Sequence, residues 1–134
     1  MPVMVKRLHG ESIVIATCSG VLDVPTLKDM FAQTVALMSD ADTVVYRIAD
    51  YYGVTSTFTE LLQNAQEASK DGAAGSTTDT RIKPMFVGSE VWQAQAREAF
   101  GKNPFGSVQI PIFGRVEDAI EYARLALRKL AAKD

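Results

Sequence analysis

Few residues in this chain are of types that do chemistry. Cys18 is the sole thiol and His9 the sole imidazole, a pairing that activates a nucleophile when the base lies within hydrogen-bond reach of the thiol. Asp50-Tyr51-Tyr52-Gly53 sets a carboxylate, two phenols and a glycine in succession. Gly88-Ser89 precedes a helical pattern, where free backbone amides can hold an anion. Trp92 follows closely, and together with Tyr51 and Tyr52 it supplies aromatic bulk of the kind that anchors interfaces.

Spacing removes most of these chemistries. His9 falls in the turn of an expected hairpin and Cys18 at its far end, and at about 3.3 Å of rise per residue the two lie several contact distances apart. Cys18 therefore reads as a small buried hydrophobe and His9 as a surface turn residue. One His and one Cys cannot supply a four-ligand site without scattered carboxylates, so neither a metal nor another cofactor is expected. Gly88-Ser89 lacks the glycine spacing of a phosphate loop and reads as an ordinary cap. Asp50 reads as a turn-forming carboxylate bonded to its own backbone. The aromatics remain, against a plainer reading in which Trp92 faces the core and only one tyrosine is exposed.

The elements that must position these residues follow from hydrophobic periodicity. Val3, Val5 and Leu8 alternate with polar residues, His9-Gly10-Glu11 supplies a turn, and Ser12 to Cys18 is a second apolar run, which together predict an antiparallel hairpin. Asp23 is placed to cap a helix whose inner stripe is Val24, Leu27, Phe31, Val35 and Met38. Thr43 to Ala49 is nearly unbroken apolar sequence apart from Arg47, as a central parallel strand covered on both faces requires, with Asp50-Tyr51-Tyr52-Gly53 at its exit. Thr57-Phe58-Thr59-Glu60 matches a capping box, and Phe58, Leu61, Leu62 and Ala65 give that helix its buried face. Lys70 to Thr80 is rich in Gly, Ala, Ser and Thr and reads as a mobile loop. Lys83 to Val87 is a short strand, Ser89 caps a helix through Trp92, Ala96, Ala99 and Phe100, and Asn103-Pro104-Phe105-Gly106 turns into a strand over Val108 to Phe113. The last helix carries one apolar stripe through Val116, Ala119, Ile120, Ala123, Leu127 and Leu130, with Glu117, Glu121, Arg124 and Arg128 toward water.

The expected order is thus ββαβαβαβα, one α/β layered domain over residues 1–134 with a mixed sheet opened by a hairpin. Right-handed crossovers put the connections after Cys18, Ala49, Val87 and Phe113 at a common rim, where clefts of open α/β sheets form. A length of 134 residues buries a real core without staples, and 47% hydrophobic with 22% charged residues is ordinary globular composition. A net charge of −2 with dispersed Lys and Arg gives no footprint for nucleic acid or anionic membranes. The single cysteine leaves no internal disulfide and makes the cytoplasm the expected compartment. Ile13 to Leu22 could pass for a short signal core, but Glu11 intrudes and no small-residue cleavage pattern follows. No run approaches the roughly 20 apolar residues that span a bilayer.

In element order, in Gly20 followed by a capped helix, and in the Gly114-Arg115-Val116-Glu117-Asp118-Ala119-Ile120 start of the last helix, the chain resembles the STAS domains. It is most similar to the small SpoIIAA-like proteins of that fold. In the anti-sigma-antagonist branch of that family the third strand ends in an Asp-Ser-Ser/Thr-Gly type motif whose hydroxyl a partner kinase phosphorylates. Asp50 and Gly53 match the outer positions, while Tyr51 and Tyr52 stand where the hydroxyl residues would be. A phenol holds its oxygen several ångströms further from the backbone than serine does, so the same phosphorylation geometry does not transfer. Thr55, Ser56 and Thr57 follow, with Thr57 already used as a cap. Asp50 also resembles the phosphoacceptor of response-regulator receivers, but the acidic pair and the lysine which that chemistry needs are absent after the second and last strands.

The resemblance implies a non-enzymatic module that binds a protein partner, or itself as a homodimer, through Asp50, Tyr51, Tyr52, Gly53, Ser56, Ser89 and Trp92. An alternative from another class is a carrier of a small apolar or lipid-like ligand, with Phe58, Leu61, Trp92 and Phe100 lining a cavity and residues 70–80 as its lid. An enzyme is not expected, because no convergent acid–base or nucleophilic set can be assembled.

Overall fold

Two strands open the structure, a computed structural model that describes residues 2–100 and 110–132, the side chains of Asp71 and Phe100 excepted. β1 (Val3–Arg7) and β2 (Ile13–Gly20) pair antiparallel, with Val3 opposite Cys18 and Arg7 opposite Val14. Gly10 takes the connecting turn at φ +74°, a conformation that costs a side chain strain. The chain then alternates α1 (Val24–Ala36), β3 (Val45–Val54), α2 (Phe58–Ala68), β4 (Ile82–Val87), α3 (Glu90–Phe100), β5 (Ile112–Phe113) and α4 (Val116–Ala132). This is the predicted order. The turn over Asn103 to Gly106 and the first part of the strand expected from Val108 lie outside the described residues.

The sheet runs β1-β2-β3-β4-β5, with β2 to β5 parallel and β3 at its centre. Each right-handed crossover steps one strand the same way, which sends α1, α2 and α3 to one face. That face buries Leu27, Phe31, Leu61 and Ala65 against Ala16, Cys18, Ala49, Tyr51 and Phe86. α4 covers the other through Ala119 and Ala123, packed with Ile13, Ile15, Tyr46, Ile48, Met85 and Val87. Leu130, expected on the buried stripe, is exposed near the end of the helix.

Local signals set the helix starts. The Asp23 carboxylate accepts from the Thr26 N–H at 2.9 Å, and Thr57 and Glu60 exchange both bonds of the capping box at 3.1 Å. Pro84 sits within β4 opposite Arg47 of β3. Gln33 of α1 closes the β1 edge: its Oε1 accepts from the Val5 N–H at 3.0 Å and its Nε2 donates to the Val3 carbonyl at 3.2 Å.

Candidate functional site

The rim at the carboxyl ends of the parallel strands is shaped by one irregularity. β3 outruns β4, whose last partner is Val87 opposite Asp50, and continues beside β2 to Val54. Thr17 pairs with Asp50 and Ser19 with Gly53, so Cys18 alone faces both Tyr51 and Tyr52, a bulge that carries one extra residue in β3. Asp50 to Gly53 therefore lie inside the strand rather than at its exit, and the expected end at Ala49 is corrected to Val54 because the long β2 goes on pairing with it. Asp50 takes the place of the missing β4 partner, its carboxylate accepting the Tyr52 N–H at 3.1 Å. At Gly53 a Cβ would lie 3.0 Å from the Cys18 carbonyl, so a side chain there would crowd the β2 backbone at the bulge.

Strand alternation divides the tyrosines. Tyr51 follows Arg47 and Ala49 inward and is 4% exposed, with its ring centroid 5.2 Å from Phe86 and 5.6 Å from Trp92. Burial pushes its phenol well above the ordinary range. The expectation that Tyr51 is displayed at the rim is thus overturned by the pleat. Tyr52 is 56% exposed, and its hydroxyl donates to the Gly114 carbonyl at 2.6 Å. Around it Gly88 N–H donates to the Phe113 carbonyl at 3.0 Å, tying the end of β4 to β5, and Gln93 Nε2 of α3 donates to the Gly88 carbonyl at 3.1 Å. Ser89 caps α3 by accepting the Trp92 N–H at 3.3 Å.

The other expected residues divide between rim and core. Gly53 is exposed, and Asp50, Ser89 and Trp92 are half-buried. Ser56 is buried and unavailable to a partner, because its Oγ accepts the Leu22 N–H at 3.0 Å and fastens the β2–α1 connection to the β3–α2 one. Phe58 and Leu61 are fully packed, Phe58 lying edge-on to Trp92 at 5.6 Å, so they form core where the carrier reading needs a cavity wall. The side chain of Phe100 lies outside the described residues. Cys18 is buried among apolar neighbours, which pushes its thiol up to about 12, while His9 stands exposed in the hairpin turn. Among the described residues no group of His, Cys, Asp and Glu could hold a metal ion, and no helix is long and apolar enough to cross a membrane.

Sequence reasoning missed two exposed valines at the strand ends. Val21 and Val91 are 64% and 65% exposed; one follows β2 and the other opens α3 after β4, so the topology sets both on the rim. It also misread residues 70–80. Ser76, Thr77 and Asp79 are buried there, over an Arg47 that is 2% exposed, lies 5.2 Å from the Phe31 ring centre and donates to the Gly75 carbonyl. Burial lowers the Arg47 guanidinium to about 10. Asp79 accepts from the Gly75 N–H at 2.7 Å and from Arg81, which holds its carboxyl down at about 2. The segment is a clasp rather than a loose lid, since its small polar residues bond within it and the Gly75 carbonyl takes the buried cation. A cleft of about 550 Å³ opens at the opposite end of the sheet, bordered by Tyr46, Asp79, Lys83 and Tyr122.

No family model matches the sequence, and no curated protein matches it. Among the solved structures that share its architecture are the following two. An uncharacterised protein of the DUF3478 family with a SpoIIAA-like fold, from Shewanella loihica PV-4, superposes with a TM-score of 0.58 at 14% identity, covering 90% of this chain and 91% of that one. An anti-sigma factor antagonist from Mycobacterium paratuberculosis gives a TM-score of 0.54 at 17% identity, over 91% and 92% of the two chains. The chain has the SpoIIAA-like fold.

Proposed function

We propose that residues 1–134 act as one non-enzymatic, cytoplasmic interaction module that binds a protein partner through the rim centred on Tyr52. The observation that carries this reading is the exposure of Val21, Tyr52 and Val91 after β2, in β3 and after β4, three large apolar side chains displayed where the topology gathers the strand ends. Such side chains, set on a rigid scaffold and rimmed by polar groups, are what hot spots are made of. The fold relative named as an anti-sigma factor antagonist lends the reading a regulatory cast. Against thiol catalysis stands the burial of Cys18, which keeps its thiol protonated at neutral pH.

Affinity capture from cell lysate with wild-type protein and a Tyr52→Ala/Val91→Ser variant, followed by titration of the purified partner, tests the proposal. The variant should bind at least about tenfold more weakly while remaining folded, as expected for loss of two interface anchors. Equal capture and equal affinity would reject the rim.

A further inference from the structure

We infer that α4 presents a self-complementary face through which two copies of this chain associate antiparallel about a two-fold axis. On the solvent side of the helix, Glu117, Glu121, Arg124 and Arg128 form a row at steps of four, three and four residues, flanked by Ile120 and Leu125, and these six residues line one continuous groove. Leu125 is 49% exposed, and Tyr122 beside it is likewise open to solvent.

The row is antisymmetric in charge. An antiparallel helix pair centred between Tyr122 and Ala123 sets Glu117 level with Arg128 of the second copy and Glu121 level with Arg124 of the second copy. All four acid–base matches form at once, as a two-fold operator demands. Ile120 and Leu125 lie on opposite flanks of the row within one turn of that centre, so the same operator brings each against its own counterpart. The antiparallel arrangement also opposes the two helix dipoles favourably.

Within its own chain the row is matched, among the described residues, only at exposed or half-exposed pairs, Arg115 Nε lying 3.4 Å from Glu117 and Arg124 meeting Glu11 at 2.8 Å, and the order of charges along the helix adds a cost of its own. Glu117 with Glu121 and Arg124 with Arg128 are like charges four residues apart, a spacing that destabilises an isolated helix. The helix dipole favours acids in the first turn and bases in the last, but it fades within a turn, and the sign switches at Glu121 and Arg124 in the middle of the helix Val116–Ala132. Within its own chain Arg124 is bonded to Glu11 through Nε and one terminal nitrogen at 2.8 and 3.0 Å, which fixes the guanidinium in place at the groove. The occupant is therefore a second copy, because the face complements its own inverse. The inference stands apart from the rim, which lies on the strand ends.

Sedimentation equilibrium of the purified chain across a wide concentration range, at low and high salt, is the test. Wild type should approach a two-chain mass with rising concentration and dissociate as salt screens the pairs. Glu117→Arg should weaken association by roughly tenfold or more, since each substitution enters the symmetric interface twice, and Glu117→Arg combined with Arg128→Glu should restore it. Tyr52→Ala should leave the dimer unchanged, which separates this face from the rim. A one-chain mass at every concentration, or a double variant no better than Glu117→Arg, would overturn the inference.

Discussion

Tyr51 and Tyr52 are adjacent in β3 and serve opposite ends. The Tyr51 ring is wedged between Phe86 and Trp92, while Tyr52 stands in solvent with its hydroxyl on the Gly114 carbonyl. Changing the two together would confuse a core with a surface. Tyr51→Ser should destabilise the fold on the order of 3–5 kcal/mol, as losses of buried aromatics do, whereas Tyr52→Phe should cost about 1 kcal/mol or less. Urea midpoints of the two variants check this, and similar losses from both would contradict the division.

Much of the fold was legible because its signals are local or periodic. The hairpin, the Asp23 and Thr57 caps, the central apolar strand and the stripe of α4 each follow from residue spacing. The site was less so. A bulge depends on the pairing of β2 with β3, which no local pattern in Asp50 to Gly53 encodes, so the tyrosines could not be assigned to faces. Arg47 was visible as a break in an apolar run, but its burial beneath Gly75 rests on contacts between residues 28 positions apart. Val21 and Val91 carry no motif and became conspicuous only once the strand ends were brought together.

Two glycines with similar backbone separate strain from space. Gly75 at φ +77° would place a Cβ 2.4 Å from the Phe31 carbonyl, while Gly10 at φ +74° has nothing within 4 Å. Gly10→Ala should cost about 1–2 kcal/mol, the strain of the left-handed backbone alone. Gly75→Ala should cost about 3 kcal/mol or more because the clasp must also move off α1. Equal losses in thermal unfolding would argue that residues 73–79 yield freely.

Acid should unfold the protein through two carboxylates. Asp42 is held well below the usual range chiefly by its bidentate bonds from Arg7 at 2.7 and 2.8 Å, and Asp79 at about 2 chiefly by Arg81. A carboxyl lower in the folded than in the unfolded state stabilises the fold above its unfolded value, and that contribution fades as protons return. Stability should hold above 3.8 and fall between 3.8 and about 2. Asp42→Asn should flatten that slope in chemical denaturation at graded pH; an unaltered slope would remove Asp42 from the account.

The thiol should be silent in the native state. Burial raises Cys18 from 9.0 to about 12, so its contribution to stability is complete below 9.0 and is lost as pH rises from there to about 12. Labelling by a thiol-specific disulfide reagent near neutral pH should proceed only as fast as the protein opens, and should accelerate with urea in step with unfolding. Rapid labelling of folded protein would place Cys18 at the surface.

The β1 edge depends on one side chain. Gln33→Ala removes both bonds that cover Val3 and Val5; it should cost about 1–2 kcal/mol and leave a strand edge open to pairing. Hydrogen exchange at the Val5 amide should speed markedly in the variant. Unchanged protection there would show that the edge is held by other means.

The central functional claim is that the rim around Tyr52 is the surface this chain offers to a partner. Chemical-shift mapping of the labelled protein, titrated with the purified partner it captures, is the most direct measurement. The account predicts shifts concentrated at Val21, Tyr52, Val91 and Gly114. Shifts confined to the cleft at Tyr46 and Lys83, or to the outer face of α4, would contradict it.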